Sequence, residues 1–241
     1  AFTGNKFEFR MLGSSQSITG PNVALNTIMA EELGRFADEL EKAADFNTAL
    51  HDVVQRAFTQ HQRIIFNGNG YEEAWVTEAK KRGLSNLTCT ADALQTYIQP
   101  KHIELFSRHR VFTEEELRAR NEIHLENYCE VVGIEARTMI DMVSRNIFPA
   151  VCAFSGATAS GIAAKKAVLA DLDCTDDEDL LHRLSRLSAE MMRQCRALEE
   201  AMAAPKGRDA YEAARYYRYT VFDLMGKLRA AVDELETITA R

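Results

Sequence analysis

The sequence has 241 residues, 46% hydrophobic and 27% charged, the balance of a folded globular protein rather than a disordered one. A net charge of −7 argues against nucleic acid or an anionic membrane surface as the main partner. Cys89, Cys129, Cys152, Cys174 and Cys195 are widely spaced and never form Cys-x-x-Cys, the usage of a reducing, cytoplasmic compartment. The apolar run Ile147 to Phe154 contains Pro149 and is too short for a bilayer crossing, and no secretory signal opens the chain. Ala1 opens it without Met, inside an expected strand, so the sequence is expected to be a fragment.

One segment alternates as a strand, Lys6-Phe7-Glu8-Phe9-Arg10-Met11, with Phe7, Phe9 and Met11 on one face and Lys6, Glu8 and Arg10 on the other. Helices are expected for nearly everything after residue 20, because four prolines leave few interior breaks. The first runs from about Asn22 to Leu40, and the second carries Leu50, Val53, Val54, Phe58, Ile64 and Ile65 at helical spacing. Asn67-Gly68-Asn69-Gly70 predicts a loop, followed by a helix over 71–82 that ends on Gly83. Thr90 is the expected N-cap of a helix over 91–99 that stops at Pro100.

Thr113-Glu114-Glu115-Glu116 has the form of a capping box and opens a long helix expected to end near Ile147, ahead of Pro149. Gly156 to Gly161 is rich in small residues and suits either a loop or a close helix contact. Two long helices close the chain. One has Leu180, Leu184, Leu187, Met191, Leu198 and Met202 on a three-four repeat, with Gln194 at a seam position. The other, after Pro205-Lys206-Gly207, has Tyr217, Val221, Leu224, Leu228, Ala231, Leu235 and Ile238. Such seams with short loops predict antiparallel packing.

Glu8 and Arg10 stand roughly 7 Å apart on one strand face, two residues of rise. A carboxylate flanked by cations can hold a hard divalent ion while its neighbours hold an anion. The same spacing also describes a solvated face with cross-strand ion pairs, and spacing alone favours that plainer reading.

The wider string Thr3-Gly4-Asn5-Lys6-Phe7-Glu8-Phe9-Arg10-Met11, the loop Gly13-Ser14-Ser15 and the Pro21-Asn22 helix start resemble the type III glutamine synthetases. So do Asn69-Gly70-Tyr71, Trp75-Val76, Arg82-Gly83-Leu84, Thr90-Ala91-Asp92-Ala93-Leu94, Asn121 to Tyr128 and Ile134-Glu135-Ala136-Arg137. The resemblance implies a mainly α fragment. One strand would remain from the catalytic α/β core, followed by a multi-helix bundle with two long antiparallel C-terminal helices. It divides the chain into 1–45, the end of the catalytic domain, and 46–241, a helical extension.

The implied activity is ATP-dependent ligation of ammonia to L-glutamate through γ-glutamyl phosphate, with Mg²⁺ or Mn²⁺. By the same resemblance Glu8 is a metal ligand, Arg10 the catalytic and substrate-binding arginine, and Lys6 a nucleotide contact. Lys cannot reproduce the bidentate fork of an arginine at that place. Homo-oligomerisation as stacked rings is implied as well, and the fragment alone is expected to be inactive without its N-terminal catalytic portion. The alternative is a standalone helical scaffold or oligomerisation module.

Other features read more plainly. His102, His109 and His124 lack Glu-x-x-His spacing and are expected to be ordinary surface or part-buried histidines. Glu122, Glu126 and Glu130 form an i, i+4 row, read as a solvated face with a subunit contact as the other option. Trp75, Tyr216, Tyr217 and Tyr219 either pack the core or anchor an interface.

Overall fold

Long uninterrupted helical runs dominate a computed structural model that describes residues 13, 16–204 and 209–239. In chain order the helices are α1 (Thr19–Leu40), α2 (Phe46–His61), α3 (Glu73–Lys81), α4 (Thr90–Tyr97), α5 (Pro100–Arg108), α6 (Glu114–Met142), α7 (Phe148–Val168), α8 (Thr175–Ala203), α9 (Ala210–Tyr216) and α10 (Phe222–Ile238). A 3-10 turn, Gln62–Ile64, follows α2. The described residues are mainly α, and the expected Lys6–Met11 strand lies outside them.

The chain folds as two units, one of Ala1–Asn86 with Ile98–Leu117, the other of Leu87–Tyr97 with Arg118–Arg241. In the first, α1 and α2 are tied by Arg56 to Glu39 at 2.5 Å. Asp45 caps α2, accepting from the Thr48 N–H at 3.2 Å. Gly83, at φ +72, ends α3 as expected. Its N–H reaches the Lys80 carbonyl at 3.0 Å, while Leu84 N–H reaches Ala79 at 2.9 Å, the paired bonds of a left-handed helix cap.

The apolar stripes of α1 and α2 build little core. Leu33, Phe58 and Ile64 are 58%, 64% and 60% exposed, and of that second stripe only Val53 is buried. Periodicity marks a face that wants cover, and few elements of this unit lie over it. Ile64 and Ile65 also fall past the end of α2, in and just after the 3-10 turn.

Two starts differ from expectation by a residue or so. Cys89, not Thr90, precedes α4, because the Cys89 carbonyl accepts the first helical bond, from Ala93 N–H at 3.0 Å. Pro100 does not end α4, which stops at Tyr97; it opens α5 from an extended Gln99. The capping box forms as written: Glu116 N–H donates to Thr113 Oγ1 at 3.2 Å and Thr113 N–H to Glu116 Oε2 at 2.9 Å.

In the second unit the expected break before Pro149 is absent. A π turn over Val143–Ile147 joins α6 to α7, widening the helix where proline withholds its N–H. Gly156 to Gly161 is accordingly helix, and neither glycine has a neighbour within 4 Å of where a Cβ would sit, so the close-contact option is not met among the described residues. The apolar run therefore extends beyond Phe154. By length and composition alone, one stretch within Glu114–Val168 is apolar enough to cross a membrane, with 6% of it buried. A packing helix of a soluble protein passes the same test.

The α8 and α10 helices run antiparallel. Arg183 meets Glu234 at 3.0 Å at one end, and Tyr216 O–H donates to the Ala201 carbonyl at 3.1 Å towards the other. Their seam buries Leu184, Leu187, Met191, Leu198, Leu228 and Leu235. Burial of each leucine contributes about 1.5–3 kcal/mol. Cys195 fills the seam place expected for Gln194, which instead turns to Glu190 at 2.6 Å. A second π turn, Tyr217–Val221, shifts the register so that Met225 is buried beside Leu224. Val132, Ala136, Val143 and Val151 from the α6–α7 run complete this core.

Candidate functional site

Lys6, Glu8 and Arg10 lie outside the described residues, so their geometry forms no part of the site as seen. The described chain leads away from them through Gly13, whose carbonyl accepts Gln16 N–H at 2.8 Å, and Ser17, whose Oγ accepts Thr19 N–H at 3.2 Å at the start of α1.

Twelve residues into α1 stands Glu31, 8% exposed and buried among cations. Arg108 Nη1 reaches its Oε1 at 2.5 Å, Arg35 Nε donates to the same oxygen at 3.1 Å, and His109 Nε2 lies 2.8 Å from Oε2. The His109 hydrogen bond, then the two guanidinium charges, hold the Glu31 carboxyl below its ordinary pKa against the opposing effect of burial. A buried carboxylate is tolerated only when so satisfied. His109 is thus a hydrogen-bonding member of the clasp around Glu31. No three metal-ligating side chains converge among the described residues.

A second cluster joins α4 to the π turn after α9. Tyr219 O–H donates to Asp92 Oδ2, Cys89 Sγ–H donates to the same oxygen at 3.2 Å, and Arg215 Nε lies 3.9 Å from Oδ1. The hydrogen bond to Asp92 pushes the Tyr219 pKa up to about 12 and, reciprocally, pulls Asp92 down. Sequence reasoning placed Asp92 in a family string and Tyr219 among aromatics, with no signal that they meet. The extra residue of the π turn is what brings Tyr219 there.

Trp75 packs locally, stacked on Phe66 at 4.1 Å with the Arg82 guanidinium 5.7 Å from its ring centre. Arg82 also donates to the Ile65 carbonyl at 2.8 Å and to Glu78 at 2.6 Å, fixing the loop before α3. His124 meets Tyr97 edge to face at 6.2 Å. Tyr216 and Tyr217 pack against the helical core. Glu122, Glu126 and Glu130 are all exposed.

The family model described as glutamine synthetase C-terminal domain matches residues 49–166, from α2 into α7. Those residues belong to the glutamine synthetase C-terminal domain family. The chain is 34% identical over 241 residues to a glutamine synthetase of Butyrivibrio fibrisolvens, covering 99% of this chain and 34% of that protein. To the type-3 glutamine synthetase of Dictyostelium discoideum it is 42% identical over 153 residues, 62% of this chain and 21% of that protein. To a glutamine synthetase of Bacteroides fragilis (strain YCH46) it is 28% identical over 245 residues, 98% and 34%. The chain thus spans between 21% and 34% of the length of these glutamine synthetase relatives. The Arg82-Gly83-Leu84 cap, Cys89 with Asp92, and the Thr113 capping box fall inside the family match, while Arg215 and Tyr219 lie beyond it.

Proposed function

We propose that this chain is part of a cytoplasmic, type III glutamate–ammonia ligase that assembles as stacked rings. In that reading 1–45 ends the catalytic domain and 46–241 is a helical extension. The observation that carries it is the glutamine synthetase similarity over 99% of the chain, with the family match centred on α3 to α6. The uncovered apolar stripes of α1 and α2 support it too, since such faces suit a helix pair that packs on a larger body.

In this reading the γ-carboxylate of glutamate takes the terminal phosphoryl group of ATP, releasing ADP. Ammonia then adds to the acyl carbon and, with loss of a proton, phosphate leaves. Arg10 pairs with the substrate and with the transferred phosphoryl oxygens, where negative charge gathers. Lys6 contributes positive charge near the nucleotide. Mg²⁺ or Mn²⁺ would supply further charge neutralisation, with Glu8 as one oxygen ligand of this chain and the rest from other parts of the protein.

Replacement of Glu8 and of Arg10 by Ala in the full-length enzyme tests the assignment. Glu8→Ala is expected to abolish activity through weakened metal binding, and Arg10→Ala to cripple turnover with the helical signal unchanged. Full activity in the Arg10 variant sinks the assignment. Calorimetry on the isolated chain is expected to show no tight binding of Mg-ATP, and tight binding would overturn its being an incomplete site. A standalone helical scaffold is the competing reading; loss of ligase activity on Arg10→Ala counts against it.

A further inference from the structure

A strip of cations and aromatics runs along the outside of α9 and the start of α10. The Arg215 guanidinium lies 5.5 Å from the Tyr219 ring centre, and that of Arg218 lies 5.6 Å from Tyr219 and 5.1 Å from Phe222. Tyr219 is 51% and Phe222 46% exposed, so the strip faces solvent in this chain. Arg218 has no carboxylate among its described ion pairs, and Arg215 has only Asp92, at 3.9 Å. Arginine and tyrosine are the side chains that most often anchor interfaces, because they bury large area with few rotors and a fixed donor fork. In a chain of net charge −7 such a strip is the exception.

The complementary feature is the Glu122–Glu126–Glu130 row of α6. These carboxylates make no ion pair with a described residue, and like charges at i, i+4 destabilise a helix unless cations come to them. The lengths match: eight residues of rise give about 12 Å for the row, and seven give about 10 Å for the strip. Tyr219 is tied to Asp92 on α4, and His124 of α6 also faces α4 through Tyr97. The row borders the face of α6 that packs there: Leu125 and Cys129, the residues just before Glu126 and Glu130, sit with Ala91 of α4 and Ala214 of α9. Among the described residues no ion pair joins strip and row within one copy, which leaves both open to a second copy.

We propose that copies of this chain join head to tail, the Arg215–Arg218–Tyr219 strip of one seated on the Glu122–Glu126–Glu130 row of the next. A contact between unlike surfaces closes into a ring when the rotation allows. The inference rests on the ring assembly proposed above and names the side chains that form one of its contacts.

Sedimentation of the intact protein tests it with two charge-reversed variants. One is Arg215→Glu with Arg218→Glu; the other is Glu122→Lys with Glu126→Lys and Glu130→Lys. Each alone is expected to weaken association at least about tenfold, since like charges then face each other across the contact. Mixed in equal amounts they restore complementary pairs, and association is expected to return in even-membered assemblies, with helical content unchanged throughout. Rings that persist in either variant overturn this contact and leave the ring assembly standing, as does a loss that mixing does not restore. A wild-type protein that is monomeric at all concentrations overturns both.

Discussion

Glu31 on α1 and Arg108 at the end of α5 meet at 2.5 Å although 77 residues separate them. Arg108 also reaches Glu104 one turn back, and Arg35 also reaches Glu32 at 3.1 Å, so the clasp spreads over both helices. Such a network is strong because the carboxylate is nearly out of water while the outer ends of the arginines are not. The clasp fastens the first helix of its unit to a helix that begins after the chain has passed through the other unit.

Acid should therefore loosen the first unit in a way that depends on Glu31. Its folded pKa lies below the ordinary 4.5, so its contribution to stability is fully present above that value and is lost as pH falls through the folded pKa. Thermal melts taken from neutral pH downward are expected to show a fall in midpoint that Glu31→Gln flattens, from a lower starting stability. An unchanged acid slope in Glu31→Gln would show that other carboxylates govern the transition.

Much of the helical order was readable from sequence because capping and periodicity are local. Thr113 with Glu116, Gly83 after α3 and the leucine seam of α8 each announce themselves within a few residues. The two π turns do not, since a single inserted residue leaves the hydrophobic pattern nearly intact while shifting its phase. Gln194 and Leu224 each sit one place from a better-buried neighbour, Cys195 and Met225, because a three-four repeat fixes a seam only to within a residue; Leu224 still packs against the core. The Glu31 clasp and the Asp92–Tyr219 bond were also illegible, because they join residues 77 to 127 positions apart. Lys6, Glu8 and Arg10 stand on the family resemblance alone.

The capping box offers a clean local test. Thr113→Ala removes the acceptor for Glu116 N–H, and the expected loss is about 1 kcal/mol by denaturant unfolding, with Thr113→Ser close to wild type. Equal losses for the two variants would place the role in the threonine methyl group rather than the hydroxyl.

Core and surface leucines of similar periodicity should separate sharply. Leu184 is fully buried in the α8 seam, and Leu184→Ala is expected to cost about 2–5 kcal/mol. Leu33, 58% exposed on α1, should cost less than about 0.5 kcal/mol in the chain studied by itself. If Leu33→Ala becomes costly only in the full-length protein, α1 is covered there, as the proposed docking on a catalytic body requires.

The Asp92–Tyr219 bond makes a prediction at the alkaline end. Tyr219 is held neutral up to about pH 12, because its proton bridges to a carboxylate whose charge opposes phenolate formation. The sign is opposite to that of Glu31: a folded pKa above the unfolded value gives stability that is present below about pH 10 and lost as pH rises through 12. A spectroscopic titration of the tyrosines should show one phenol ionising late, and Asp92→Asn should bring it back towards the others. Tyr219→Phe should remove that late component while freeing α4 from the turn, read as faster amide exchange in α4 than in the α8 seam. A late component that survives Tyr219→Phe would assign it to one of the half-buried tyrosines, Tyr97, Tyr128 or Tyr217, whose phenols are also pushed up, by desolvation.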